Sequence, residues 1–451
     1  MTPVKLYAKK PGSRDETIPA HTKSVFEATL AIFEFFENDI KKCFGLSEED
    51  FQTLKKVCIV ASILHDIGKA NSHFLKQILS DKFVRQAIRH EVMTIWILSK
   101  FPDVLKWLNL SETEEKLVVR TIVNHHIKVS NHSECGWNTE ALEKEMTVYC
   151  GHEDIRQCLM IAKEYFGLPD PPVLKNLHFK ITADMPFDED DDGNIRIINK
   201  TVQPLLKKLT SDEERNLGNI CLDLVMCADG IASGFGEKPA SEKSMSCREY
   251  FGLVNAKRCK KEEFDYIVAK GLKGNKIKRF QKAGRRAGKN RATLLISGTG
   301  SGKTVFSYVW AGVAAEGMKL FFNYPTTGTA TEGGKYMWHL ADYVLLHSKW
   351  MNDMETTKVE REKVMAAYAK EEEERLEKID EAVTEAKASP FDKNEKSNDD
   401  YAMIYGKGRM LGKVMATTLD QTFGHVQHWK SNKYSSIAMM IGAQIFDEVH
   451  S

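Results

Sequence analysis

One stretch, Thr293 to Thr304, constrains the fold of this 451-residue chain more than any other. The run Thr293-Leu294-Leu295-Ile296 is strand-like, Ser297-Gly298-Thr299-Gly300-Ser301-Gly302 is a glycine-rich turn, and the residues from Lys303 to Ala315 follow a helical pattern. Glycines in that setting let backbone N–H groups approach phosphate oxygens at a helix N-terminus, where the helix dipole favours negative charge. The loop from Ser297 to Thr304 is therefore expected to bind ATP with Mg²⁺, Lys303 reaching the β- and γ-phosphates and Thr304 ligating the ion. A second strand-type run follows at Leu320-Phe321-Phe322. Strand, helix, strand predicts a parallel α/β unit.

The chain ahead of that stretch has a different period. From Pro19 to about Ser233 apolar residues recur at helical spacing, as in Val25-Phe26-Leu30-Phe33, Leu54-Val57-Val60-Leu64 and Leu117-Val118-Ile122. That pattern predicts an all-α domain. Pro169 to Asn194, with its prolines and the acidic run Asp188 to Asp192, is expected to be a solvated loop. Between Lys257 and Arg291 the composition turns basic, with Lys278, Arg279, Lys282, Arg285, Arg286 and Lys289 among many cations set against Glu262, Glu263 and Asp265. A solvated linker face or contact with a phosphate backbone would each account for it. Met351 to Ala388, rich in Glu, Lys and Ala, is expected to be an exposed helical insertion with no catalytic role. These shifts divide the chain into a helical domain at 1–240, a basic linker and start of the next lobe at 241–291, and an α/β part at 292–451 with its charged insertion at about 351–400.

Composition bounds the function classes. Lys+Arg 64 against Asp+Glu 63 leaves a net charge of +1, which excludes a generally basic mode of nucleic-acid binding and leaves only local patches. The start MTPVKLYAKK lacks the apolar core of a signal peptide, and the apolar stretch near Ile437 to Phe446 is too short to span a bilayer. A soluble, cytoplasmic protein with no membrane partner is expected. Nine cysteines form no C-x-x-C pair, which disfavours a zinc ribbon or a disulfide framework.

The helical part holds His21, His65, His90, His125 and His126 of the 14 histidines. Ala61-Ser62-Ile63-Leu64-His65-Asp66-Ile67-Gly68-Lys69 is an apolar helix running into a His-Asp pair and a glycine. A carboxylate at a helix C-terminus meets the negative end of the dipole, and a bound cation removes that conflict. His125 and His126 are neighbours, about a hundred degrees apart on a regular helix, so both reach one site only at a helix end.

Together His21, His65-Asp66 with Gly68-Lys69, Arg89-His90-Glu91, Asn124-His125-His126 and Ala228-Asp229-Gly230 resemble the HD phosphohydrolase superfamily. More narrowly, they resemble the HD nuclease domain of the CRISPR-associated nuclease-helicase of type I systems. The resemblance implies that His21, His65, Asp66 and Asp229 hold one metal, that Asp66 bridges to a second held by His90, His125 and His126, and that Lys69 sits beside the scissile phosphate. Imidazole and carboxylate suit Fe, Mn, Ni or Co, and two such ions can activate a water and stabilise a leaving oxygen. His73, His132, His152 and His178 match no motif and are expected to be structural or surface residues.

The later segments resemble a superfamily 2 helicase lobe. Ser297 stands where the phosphate-loop pattern has its first glycine, a departure common in that superfamily. Tyr324-Pro325-Thr326 with Thr329-Ala330-Thr331 resembles a strand-contacting motif, and Thr417-Thr418-Leu419-Asp420-Gln421 a later one. Gln444-Ile445-Phe446-Asp447-Glu448-Val449-His450 resembles the Asp-Glu-x-His box, which implies that Asp447 holds Mg²⁺ through water and Glu448 polarises the attacking water. Gln281 is expected to read adenine. The implied architecture is multidomain: an all-α HD nuclease domain followed by an incomplete α/β RecA-like P-loop helicase lobe, expected as a truncated gene product, as one piece of a split protein whose partner chain carries the missing lobe, or as the front part of a longer protein. The implied substrate is single-stranded DNA, exposed in an R-loop by an RNA-guided surveillance complex. An HD-type nucleotide phosphohydrolase and a non-catalytic protein that docks on that complex are the rival expectations.

Overall fold

The computed structural model describes residues 5–11, 17–80, 88–125, 145–180, 188–189, 195–196, 211–235, 248, 258–272, 274–290, 292–298, 300–335, 337, 343–346, 413–419 and 442–447. The chain forms two compact units, one of Met1–Gly236 with Ser244–Gly252, the other of Glu237–Lys243 with Leu253–Ser451.

The first unit is helical. α1 (Ile18–Phe44) carries Pro19 in its first turn, where a missing N–H costs nothing, and ends at Gly45 with φ 63°. α2 (Glu48–Leu64) starts at Ser47, whose hydroxyl accepts from Asp50 N, and places Glu48, Glu49 and Asp50 at the positive end of its dipole. A tight 3₁₀ turn (Ile67–Lys69) follows, then α3 (Ser72–Leu79), α4 (His90–Lys100), α5 (Asp103–Trp107) and α6 (Glu112–Asn124). A capping box between Ser111 and Glu114 fixes the start of α6. α7 (Glu153–Phe166) and α8 (Asp212–Phe235) follow.

Helices α1, α2, α6 and α8 pack on one another. They bury Val25, Phe33 and Phe36 with Leu54, Val57, Val60 and Leu64, and with Leu117, Val118, Ile122 and Val225. Each such side chain contributes about 1.5–3 kcal/mol on burial. This core holds the ends of α1, α2 and α6 in place, and those ends carry the histidines.

Two short antiparallel pairs accompany the helices: β1 (Glu145–Val148) with β2 (Leu177–Lys180), and β3 (Asp188–Glu189) with β4 (Ile195–Arg196). The strand β2 lies inside the segment expected to be a loop throughout. Its cause is the alternation of Leu177 and Phe179 with His178 and Lys180, set opposite Val148 and Met146.

The second unit is built on a four-stranded sheet. β5 (Leu320–Tyr324), β6 (Tyr343–Leu346), β7 (Val414–Thr418) and β8 (Ala443–Phe446) lie in the order β6-β7-β5-β8, all parallel. α9 (Lys261–Leu272), the short α10 (Arg279–Lys282) and α11 (Gly284–Ala287), and α12 (Lys303–Ala314) pack together, and α13 (Thr327–Lys335) follows β5. Phe264, Tyr308, Leu320, Phe322, Val414, Ala416 and Ile445 form the core of this unit.

One expected strand is absent. Residues 292–298 form no ladder with any described strand, and Leu294 and Ile296 are 83% and 86% exposed. A strand exists through its hydrogen-bonded neighbour, and no described strand pairs with this run. The insertion at about 351–400 lies outside the described residues. Among the described residues no helix is long and apolar enough to cross a membrane.

Candidate metal centre and phosphate loop

The approach of one glycine brings the first site together. Gly68, in the 3₁₀ turn, is pressed against α4 so closely that a Cβ there would overlap His90 O and lie 2.5 Å from Thr94 N. Gly68 N donates to Thr94 Oγ1 at 2.9 Å, and that hydroxyl is within reach of both His65 O (3.0 Å) and His90 O (2.9 Å). One threonine thus ties the end of α2 to the start of α4. The result is that Asp66, just past α2, faces His90 in the first turn of α4.

The side chains converge on Asp66. His21 Nε2, from the first turn of α1, lies 3.3 Å from Asp66 Oδ2 and 3.2 Å from Asp229 Oδ1 on α8. His65 Nε2 is 3.3 Å from Asp66 Oδ2. On the other side His90 Nε2 and His125 Nε2 are 3.4 Å and 4.0 Å from Asp66 Oδ1. Two groups result, His21 with His65 and Asp66, and Asp66 with His90 and His125, each with one ligand atom per residue within 4.8 Å of the others. All five are buried, and Asp66 is common to both. Asp229 is buried and accepts from Ser233 Oγ at 3.3 Å. His126 lies outside the described residues.

Hydrogen bonds place one proton on each of two imidazoles. His65 Nδ1 is 2.8 Å from Ser62 O and His125 Nδ1 is 2.6 Å from Ile122 O. A carbonyl only accepts, so each Nδ1 carries a hydrogen, and in its neutral form each ring presents a lone pair at Nε2. For His65 that lone pair would face a carboxylate oxygen, an unfavourable contact unless a positive charge sits between them. His65 Nε2 and Asp66 Oδ1 are also buried without a hydrogen bond among the described residues. Buried polar atoms of this kind call for a partner, and a divalent cation fits this donor set of imidazole and carboxylate.

The electrostatics show that the cluster favours positive charge at that place, a proton on His65 when no ion is bound. Burial alone would lower the His65 pKa, but the charges of Asp66 and Asp229 outweigh it and raise the value, with Lys69 opposing. Burial would raise the Asp66 pKa, yet His65 and Lys69, with His21 adding to them, hold it well below the usual carboxylate range. Lys69 Nζ donates to Asp66 Oδ2 at 2.7 Å and lies over the Phe74 ring.

Glu91 is a residue that sequence reasoning did not assign to the site. It is fully buried, its Oε1 accepts from Arg89 Nη2 at 2.8 Å, and its Oε2 is 3.6 Å from His90 Nδ1. Burial would raise its pKa, but His90, His125 and Arg89 hold it well below the ordinary value. A charged residue inside the otherwise apolar pattern of α4 was the available signal. The unassigned histidines serve the scaffold: His73 Nε2 contacts Glu145 O, His152 caps α7, and His178 contacts Thr147. His132 lies outside the described residues.

In the second unit Gly300 (φ 70°) and Gly302 (φ 100°) take backbone conformations that favour glycine. Lys303 Nζ donates to Ser297 O at 3.1 Å and Ser297 Oγ meets Ser301 Oγ at 2.7 Å, closing the loop on itself at the start of α12. Gln281 is buried behind it, donating from Nε2 to Gly302 O at 3.1 Å and accepting at Oε1 from Lys278 N at 2.8 Å. That places Gln281 as a buttress of the loop. α12 packs on β8, and Asp447 follows β8 with its N–H donating to Asn323 O at 2.9 Å. Thr326 and Thr329 cap the start of α13, and Thr417 and Thr418 lie in β7. Thr299, Asp420, Gln421 and Glu448 lie outside the described residues.

Comparison with known proteins gives a consistent result. The family described as Cas3, HD domain, matches residues 8–234. A curated protein of Myxococcus xanthus (strain DK1622), named as a CRISPR-associated nuclease/helicase Cas3, is 25% identical over 463 aligned positions, covering 99% of this chain and 56% of that protein. Among solved structures, crystal structures of T. fusca Cas3 and of its ADP form match the whole chain with TM-scores of 0.53 and 0.52. Their identities are 16% and 15%, and the chain covers 47% of each. The chain thus spans about half the length of the relatives it matches.

Proposed function

This chain belongs to the Cas3 HD-domain family, and on that premise we propose that its helical unit is a metal-dependent nuclease acting on single-stranded DNA. The observation that carries this is the pair of buried triads sharing Asp66. His21, His65, Asp66 and Asp229 would hold one divalent ion, and Asp66, His90, His125 and His126 a second. Such ions, Mn, Fe, Ni or Co, supply a nucleophilic water and a clamp on the departing oxygen. The chain's own contribution is to fix the ligands beforehand. Ser62 O and Ile122 O orient two imidazoles, and Thr94 locks the backbone of two ligand segments. Lys69, held at Asp66, provides a cation for a phosphodiester oxygen at the same place.

In the second unit the self-closed loop at Ser297–Thr304 and Asp447 at the end of β8 support binding of ATP with Mg²⁺, as one lobe of a helicase motor. The second lobe, the RNA-guided surveillance complex and its R-loop are the partners this reading calls for. The test is cleavage. The full chain with Mn²⁺ should degrade single-stranded DNA without ATP, and a chelator should stop it. Preferential hydrolysis of free nucleotides would replace this reading with a phosphohydrolase, and no hydrolysis of either would leave a docking protein.

A further inference from the structure

Among the histidines of the metal centre, the three whose Nδ1 partners are defined are not supported alike. His65 and His125 turn Nδ1 to backbone carbonyls, whereas His90 turns Nδ1 to a buried carboxylate, Glu91, at 3.6 Å. A carboxylate is taken fully out of water at large cost, which only close cations offset. Arg89 offers one such charge from a side chain still one-third exposed, and His90, itself buried, faces the Oε2 of the carboxylate.

The two triads also differ in charge. His21, His65 and Asp66 have a second carboxylate, Asp229, at 3.2 Å from His21. Asp66, His90 and His125 have Asp66 as their one carboxylate ligand atom among the described residues. We propose that Glu91 is a positioning residue for that second triad: acting through His90, it supplies negative charge behind the ligand imidazole, where the first triad has Asp229 as a further carboxylate on the ligand side. A carboxylate behind a ligand imidazole fixes its tautomer and raises its basicity, and losing it costs 10- to 100-fold in metal affinity as a rough scale. The two ion sites then depend on different carboxylates beyond the shared Asp66.

This rests on the metal-centre reading above, and the experiment separates the two. Titration of the full chain with Mn²⁺ by calorimetry should show two ions for the wild type. Glu91→Gln keeps size and hydrogen bonding while removing charge, and should weaken one ion by roughly 10- to 100-fold and leave the other unchanged. A purely structural role, as partner of Arg89 or as an acid at a helix N-terminus, would lower the melting temperature of the metal-free protein without splitting the two affinities. Equal affinities in Glu91→Gln and wild type, or equal weakening of both ions, overturns the proposal. A wild type that takes up no ion sinks the metal-centre reading itself. Should Glu91→Gln not fold, Arg89→Gln tests the same charge from the other side. Removing the competing guanidinium should tighten the affected ion, and unchanged or looser binding overturns the proposal.

Discussion

The two candidate sites place their chemistry in opposite ways. The metal centre gathers single side chains from α1, the end of α2, the start of α4, the end of α6 and α8, and buries all of them. The phosphate loop is one contiguous stretch whose groups are mostly backbone and whose described residues are half-buried or exposed. The first site therefore depends on tertiary packing and is sensitive to any change that moves a helix end. The second depends mainly on local backbone conformation, with Lys278 and Gln281 supporting it from outside the loop.

Crossed variants give the largest effect. Asp66→Ala removes the one ligand common to both triads and should lower Mn²⁺-dependent cleavage on the order of a thousandfold, the scale of losing an electrostatic centre, while leaving nucleotide binding intact. Loss of nucleotide binding in that variant would break the separation of the two sites. A pair of glycine substitutions compares packing with local conformation. Gly68→Ala should destabilise the helical unit by about 1–3 kcal/mol or more, as overpacking against backbone does. Gly298→Ala, where a Cβ meets nothing within 4 Å, should shift stability by about 0.5 kcal/mol or less; thermal unfolding reads both. Lys303→Ala should weaken ATP roughly 10- to 100-fold, the value of a hydrogen bond to a charged group, with DNA cleavage unchanged.

Proton competition gives the smallest effect and applies to the helical unit. A histidine raised in the fold, as His65 is, contributes stability fully below its ordinary value of about 6.5 and loses it as pH rises through the folded value. Asp66 and Glu91, depressed, contribute above about 4 and lose it as pH falls through their folded values. Metal-free protein should thus lose stability at both ends of that window. Apparent Mn²⁺ affinity should rise with pH through the raised His65 value, since proton and ion compete for one lone pair. A flat affinity from pH 6 to 8 would remove His65 from the ligand set.

What the sequence disclosed follows from the same contrast. Ser297 to Thr304 was legible because the spacing is the structure: glycines at Gly300 and Gly302 are required where φ is positive. His21, His65, Asp66, His90, His125 and Asp229 were legible as a set through resemblance to a family, since nothing in their spacing states that five elements meet. Thr94 and Glu91 were not legible as site residues. A threonine within a helix is ordinary until the packing of Gly68 against α4 gives it partners, and a glutamate in a helix's first turn is ordinary until its full burial beside His90 is seen. Thr293 to Ile296 was read as a strand from its composition, but pairing depends on a neighbour that composition does not describe.

The ion pair of Lys69 with Asp66 bears on how such a protein matures. Small metal domains often wait for their ion, because charged ligands crowd together with nothing to offset them until it arrives. Here the chain carries its own counter-charge into the cluster, 2.7 Å from the shared carboxylate. On the metal-centre reading, part of the cluster's negative charge is thereby offset before any ion arrives, which gives the metal-free polypeptide a route to the folded state ahead of loading.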